Sequence, residues 1–239
     1  MPDEGRRIEV RGTVQGVGFR PWVYRLAREE GIAGRVRNDA LGVTIEAFGG
    51  ADALEGFVRR LRTEAPSVAV VGEVRTEPIP LERVVGFEIT PSAGGEGRAV
   101  SIPPDLATCP ECLREVADSS DRRHLYPFTN CTACGPRYTI ARDVPYDRAR
   151  TTMADFTMCP RCAEEYGDAG DRRFHAQPNA CPDCGPRLRL GDAEGWTLAP
   201  DPASRGPLEV AASRLQAGAI VAVKGLGGFH LACDATSPV

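Results

Sequence analysis

Eight of the nine cysteines in this 239-residue sequence fall into four C-x-x-C pairs: Cys109/Cys112, Cys131/Cys134, Cys159/Cys162 and Cys181/Cys184. A C-x-x-C turn presents two thiolates to one metal, and a second pair 18 intervening residues later completes a tetrahedron with zinc–sulfur bonds of about 2.3 Å. The segment is one unit written twice at a period of 50 residues. Cys109-Pro110-Glu111-Cys112 recurs as Cys159-Pro160-Arg161-Cys162, Asp121-Arg122-Arg123 as Asp171-Arg172-Arg173, and Cys134-Gly135-Pro136-Arg137 as Cys184-Gly185-Pro186-Arg187. Two zinc ions are expected, both structural, because four sulfurs leave no open coordination position. The pairs can combine in sequence order, which is the expectation, or interleave, first with fourth. His124 and His175 are read as hydrogen-bonding loop residues rather than ligands. The arginines 122, 123, 137, 172, 173 and 187 are expected on a solvated or domain-docking face.

A second chemical signal lies in Gly12-Thr13-Val14-Gln15-Gly16-Val17-Gly18-Phe19-Arg20. Glycines let successive amides turn toward one centre, and a following helix adds the positive end of its dipole, so the natural occupant is an anion. Arg20 offers a planar fork of donors to a phosphoryl group. No Lys-Ser/Thr follows and the third glycine is missing, so neither a Walker loop nor the full dinucleotide fingerprint fits. A third signal, Lys224-Gly225-Leu226-Gly227-Gly228-Phe229-His230-Leu231, reads as a phosphate-approaching loop through Lys224, Gly227 and Gly228. It reads equally as a glycine-rich hairpin with a surface lysine, Cys233 being a core thiol.

The elements that must hold these residues follow from periodicity. Ile8, Val10 and Val14 alternate as a strand does, and a helix with Pro21 in its first turn places Trp22, Val23, Leu26 and Ala27 on one side before Gly31 stops it. Residues 35–38 and 43–48 flank a hairpin turn at 39–42; Leu54, Phe57, Val58 and Leu61 repeat at helical spacing; residues 68–74 and 85–89 supply two more strands. The order βαββαβ is ferredoxin-like, so the fold class is α+β. Residues 91–101 and 191–206 read as linkers. They separate a domain at 6–91, a zinc-stabilised module at 102–190 whose sequence is too poor in apolar periodicity for a normal core, and a helix, strand and glycine loop at 207–239. The last segment is too short to bury a core, so the chain is expected to be part of a longer protein.

Net charge is −4, which supplies no basic footprint for nucleic acid. No apolar run approaches the roughly 20 residues of a membrane span, and the N-terminus has no apolar stretch after a basic start, so a cytoplasmic protein without membrane contact is expected.

Val14-Gln15-Gly16-Val17-Gly18-Phe19-Arg20, with Gly34-Arg35-Val36-Arg37-Asn38 on a later strand, resembles the active-site loop and asparagine strand of acylphosphatases over residues 6–90. The resemblance implies that Arg20 binds phosphoryl oxygens, that Asn38 orients the attacking water, and that the amides of Gln15, Gly16, Val17, Gly18, Phe19 and Arg20 cradle the anion. Residues 207–239 resemble the opening of a YrdC-like nucleotide-binding domain, which implies ATP. Together with the doubled cysteine module, the chain resembles the N-terminal portion of the HypF carbamoyltransferases of [NiFe]-hydrogenase maturation. That family resemblance implies hydrolysis of carbamoyl phosphate, ATP-dependent activation of the carbamate, and transfer to a HypE-like acceptor for cyanide synthesis. The competing readings are a stand-alone acylphosphatase with an inert zinc spacer and a zinc-dependent module that binds protein or nucleic acid.

Overall fold

A computed structural model describes residues 3–93, 100–192, 206–226 and 228–236. Most of both expected linkers, and Gly227, lie outside the described residues. The chain divides into two compact units, Met1–Gly185 and Pro186–Val239.

The first unit opens with a five-stranded sheet. Strand β1 (Asp3–Thr13) leads through the glycine loop into α1 (Phe19–Glu29), followed by β2 (Ala33–Asn38), β3 (Gly42–Gly50), α2 (Ala51–Thr63), β4 (Val70–Ile79) and a short β5 (Phe87–Ile89). The strand order is β4-β1-β3-β2-β5, antiparallel except where β5 runs parallel to β2. This is the expected ferredoxin-like arrangement with one added edge strand. Its core is a single apolar cluster. Ile8 and Val10 of β1, Val36 of β2 and Val43 and Ile45 of β3 meet Val23 and Leu26 of α1 and Leu54, Phe57 and Leu61 of α2. Strand β4 starts later and runs further than its apolar pattern suggested. It is an edge strand, mostly exposed: Glu73, Arg75 and Glu77 alternate, but of the intervening Val74, Thr76 and Pro78 only Val74 is a strand-forming apolar residue, so no apolar face marks it.

In the same unit, each half of the cysteine repeat builds one short helix, α3 (Pro110–Ala117) and α4 (Pro160–Gly167). The first cysteine of each half caps the helix, a proline stands at its start where no amide partner is missed, and the second cysteine is buried one turn on. Besides the thiolates, a small apolar cluster of Tyr126, Ile140, Tyr146, Met153 and Ala180 ties the halves together, so the module buries more apolar surface than its sequence suggested.

The second unit contains α5 (Pro207–Gln216) and an antiparallel pair, β6 (Val221–Lys224) and β7 (Phe229–Ala232). The Gly225 amide donates to Gly228 O at 2.8 Å, so the glycine loop joins the two strands of a hairpin. Lys224 Nζ lies 5.1 Å from the centre of the Phe229 ring, and Cys233 is exposed rather than in a core.

Candidate functional site

Gly16 and Gly18 both take φ of 72°, a left-handed conformation open to glycine at little cost. The loop they shape leaves the amides of residues 15–20 with no hydrogen-bond acceptor among the described residues. Phe19 and Arg20 stand in the first turn of α1, where orphan donors and the dipole coincide. The buried Gln15 side chain fixes the loop from below, its Nε2 donating to Asp39 O at 2.8 Å and Gly42 O at 2.7 Å. Asp39 holds that turn. Burial works against its charge, but hydrogen bonds from Thr44 Oγ1 and the Leu41 amide and the nearby Arg11 keep its carboxyl below the usual carboxylate range.

The sheet brings the two expected catalytic residues to this loop. Arg20 is 8% exposed and Asn38, at the end of β2, is 1% exposed. Asn38 Nδ2 donates to Tyr146 O at 3.3 Å, while its Oδ1 is buried without a partner among the described residues. A buried acceptor left open beside uncommitted donors is a place for a polar guest.

The other half of the pocket comes from the cysteine module. A cavity of about 30 Å³ is lined by residues 14–16, 18–21 and Asn38 on one side, and by Thr132, Arg137, Tyr146 and His175–Pro178 on the other. The Tyr146 amide donates to Gln15 Oε1 at 2.7 Å, and Arg137 Nε donates to Gly16 O. Arg20 Nη2 donates to Asp147 Oδ1 at 2.8 Å and to Tyr146 O at 3.4 Å, and Nη1 to Ser92 Oγ at 3.4 Å. Sequence reasoning missed this roof. Arg137 and His175 carried signals and were read as surface and loop, whereas Tyr146 and Asp147 lie between the two repeats with no motif around them.

The thiols group in sequence order: Cys109, Cys112, Cys131 and Cys134 in one cluster, Cys159, Cys162, Cys181 and Cys184 in the other. Sulfur–sulfur separations run from 3.5 to 3.8 Å. That is the edge of a tetrahedron built on zinc–sulfur bonds of about 2.3 Å and far beyond a disulfide, so the residues present fit zinc.

The arginine pairs, read as solvated or docking, prove to dock one half of the repeat against the other. Arg122 and Arg123 both reach Glu165 at 2.6 Å, and Arg122 donates to Cys162 Sγ at 3.4 Å. Fifty residues on, Arg172 reaches Glu115 at 2.7 Å with Arg173 beside it, and Arg172 donates to Cys112 Sγ at 3.2 Å. Each half thus supplies positive charge to the other's thiolates. Burial pushes the Cys162 thiol up, and Arg122 opposes it. Arg123 and Arg173 are almost wholly buried, whereas Arg187 is exposed as expected.

Comparison with known proteins agrees with this geometry. The acylphosphatase family matches residues 6–89, and the HypF finger matches residues 108–141 and 158–190. An acylphosphatase of Nitrobacter hamburgensis is 45% identical over 33% of this chain and 80% of its own length, so the sheet and its glycine loop form an acylphosphatase-family domain. The carbamoyltransferase HypF of Synechocystis sp. is 54% identical over 96% of this chain and 29% of its own length. A crystal structure of full-length HypF in the phosphate- and nucleotide-bound form superposes with a TM-score of 0.88 at 42% identity, covering 99% of this chain and 30% of that one. The chain belongs to the HypF family as its N-terminal part, and spans about three-tenths of the length of the HypF proteins it matches.

Proposed function

We propose that the first unit hydrolyses carbamoyl phosphate to carbamate and inorganic phosphate, as the opening step of a carbamoyltransferase. The observation that carries this reading is the meeting, in one small cavity, of uncommitted loop amides, the Arg20 guanidinium and the unpartnered Asn38 Oδ1. In it, the amides of residues 15–20 and Arg20 hold the phosphoryl oxygens and take up the charge that spreads over them in the transition state. Asn38 Oδ1 accepts a hydrogen bond from the attacking water and aims it at phosphorus. Water adds to phosphorus, the bond to the bridging oxygen breaks, and carbamate leaves with that oxygen. No covalent nucleophile is required, because phosphoryl transfer depends on positioning and electrostatic stabilisation.

Zinc supplies fixed cross-links here rather than chemistry, held by the two four-cysteine clusters. Residues 6–91, 102–190 and 207–239 are three domains on this reading, the last opening a nucleotide-binding domain in which Lys224, Gly227 and Gly228 approach phosphate. In the whole protein, ATP activates the carbamate and a later domain passes the carbamoyl group to a HypE-like acceptor in the cytoplasm. An inert zinc spacer is disfavoured by the hydrogen bonds that residues 137 and 146–147 make to the loop, to Arg20 and to Asn38.

The test is phosphate release from carbamoyl phosphate by the purified chain. Arg20→Ala and Asn38→Ala are each expected to lower kcat by about 10²–10³-fold, the usual cost of losing a transition-state donor or a water-orienting group, with circular dichroism unchanged. Turnover retained by both variants would remove the assigned site.

A further inference from the structure

The second half of the cysteine repeat sends a histidine into the anion pocket. Its counterpart 50 residues earlier is Leu125, and the two share a left-handed backbone, φ 54° at His175 and 55° at Leu125. The unusual conformation therefore belongs to the repeat itself, and only the side chain distinguishes the site-facing copy. Leu125 is 49% exposed. The His175 ring instead packs 4.9 Å from Tyr166 and 4.7 Å from Phe174, ring centre to ring centre, and lines the cavity. Burial, reinforced by the charge of Arg20, pushes it down to about 4, so the imidazole is neutral at physiological pH. Its Nδ1 is buried without a partner among the described residues.

The neighbouring polar groups of the roof are committed. Gln177 Oε1 accepts from the Arg148 amide at 2.7 Å, and its Nε2 donates to His175 O at 2.7 Å and to Tyr166 Oη at 3.0 Å. Tyr146 O takes Asn38 and Arg20, and Thr132 Oγ1 donates to Arg172 O at 3.0 Å. If the phosphoryl group occupies the amide cradle, the acyl end is left to the rest of the cavity wall, part of which this roof supplies. Carbamoyl and acetyl phosphate have nearly the same shape there; what differs is an amino group in one and a methyl in the other.

We propose that His175 is a specificity-determining residue, its Nδ1 accepting a hydrogen bond from the amino group of the carbamoyl moiety. The proposal rests on the hydrolytic reading above. It places selection between acyl phosphates on the zinc module and the chemistry on the sheet. A pocket built to pair a polar group discriminates against an analogue lacking it far better than an apolar wall does.

The experiment measures kcat/KM for carbamoyl and acetyl phosphate with the zinc-loaded chain and three variants, each checked for zinc content. The parent prefers carbamoyl phosphate. His175→Gly suits the left-handed backbone and removes the imidazole, and is expected to lower the carbamoyl-to-acetyl ratio by roughly tenfold, the worth of one hydrogen bond. His175→Asn tolerates the same backbone, offers an amide oxygen nearby and retains much of the preference. Leu125→Gly makes the same backbone change in the other repeat and leaves the ratio as in the parent. A parent without preference, or a ratio undisturbed in His175→Gly, overturns the proposal. No phosphate release by the parent from either substrate overturns the hydrolytic reading itself, and this one with it.

Discussion

Arg20 already has a carboxylate beside it. Asp147 Oδ1 takes one Nη2 hydrogen bond at 2.8 Å, which fixes the guanidinium but also offsets the positive charge that a phosphoryl group would feel. Asp147→Asn keeps an acceptor oxygen at that place and removes the charge. It is therefore expected to tighten the binding of inorganic phosphate several-fold, read as a lower inhibition constant in the hydrolysis assay. At this scale the sequence was legible where function sits in a continuous string. Glycine at 16 and 18 and arginine at 20 announce an anion loop, because only backbone freedom and a helix start are needed to make one. Asp147 and Tyr146 were not legible. Their roles depend on an approach between segments more than a hundred residues apart, and no local pattern encodes that approach.

Among the elements, the strands and helices of the sheet could be read because apolar side chains alternate or recur where one face is buried. The edge strand was misplaced at both ends for the converse reason. The repeat showed its arginines plainly but not their partners, since reciprocal clamping is visible only when two copies face each other. Its energetic content can be tested at Glu165. Burial raises the cost of its charge, yet Arg123 and Arg122 overcome that and hold its carboxyl at about 2, below the ordinary 4.5. A folded-state value below the unfolded one stabilises above the unfolded value and is lost as pH falls through the folded one. Glu165→Gln is expected to destabilise the module by about 3 kcal/mol at pH 7, where the carboxylate is fully ionised and its contribution fully present. Thermal melts of the zinc-loaded parent and variant at that pH measure it.

Across the whole first unit, two kinds of stabilisation sit side by side. The sheet and its helices have their own apolar core, whereas the module depends on metal and on a small cluster around Tyr126 and Tyr146. Metal analysis of reduced protein is expected to give two zinc ions per chain. Stripping them with a strong chelator should unfold α3, α4 and the roof while the sheet remains, so that circular dichroism keeps its strand signal and the choice between carbamoyl and acetyl phosphate is lost. The reciprocal arginine contacts carry a further consequence. Because Arg122 answers the sulfur charge of the later copy and Arg172 that of the earlier one, neither copy is self-sufficient in counter-charge. Deleting either would strand a bare arginine pair and an under-neutralised cluster at once, so the duplication can be lost only by discarding both copies together.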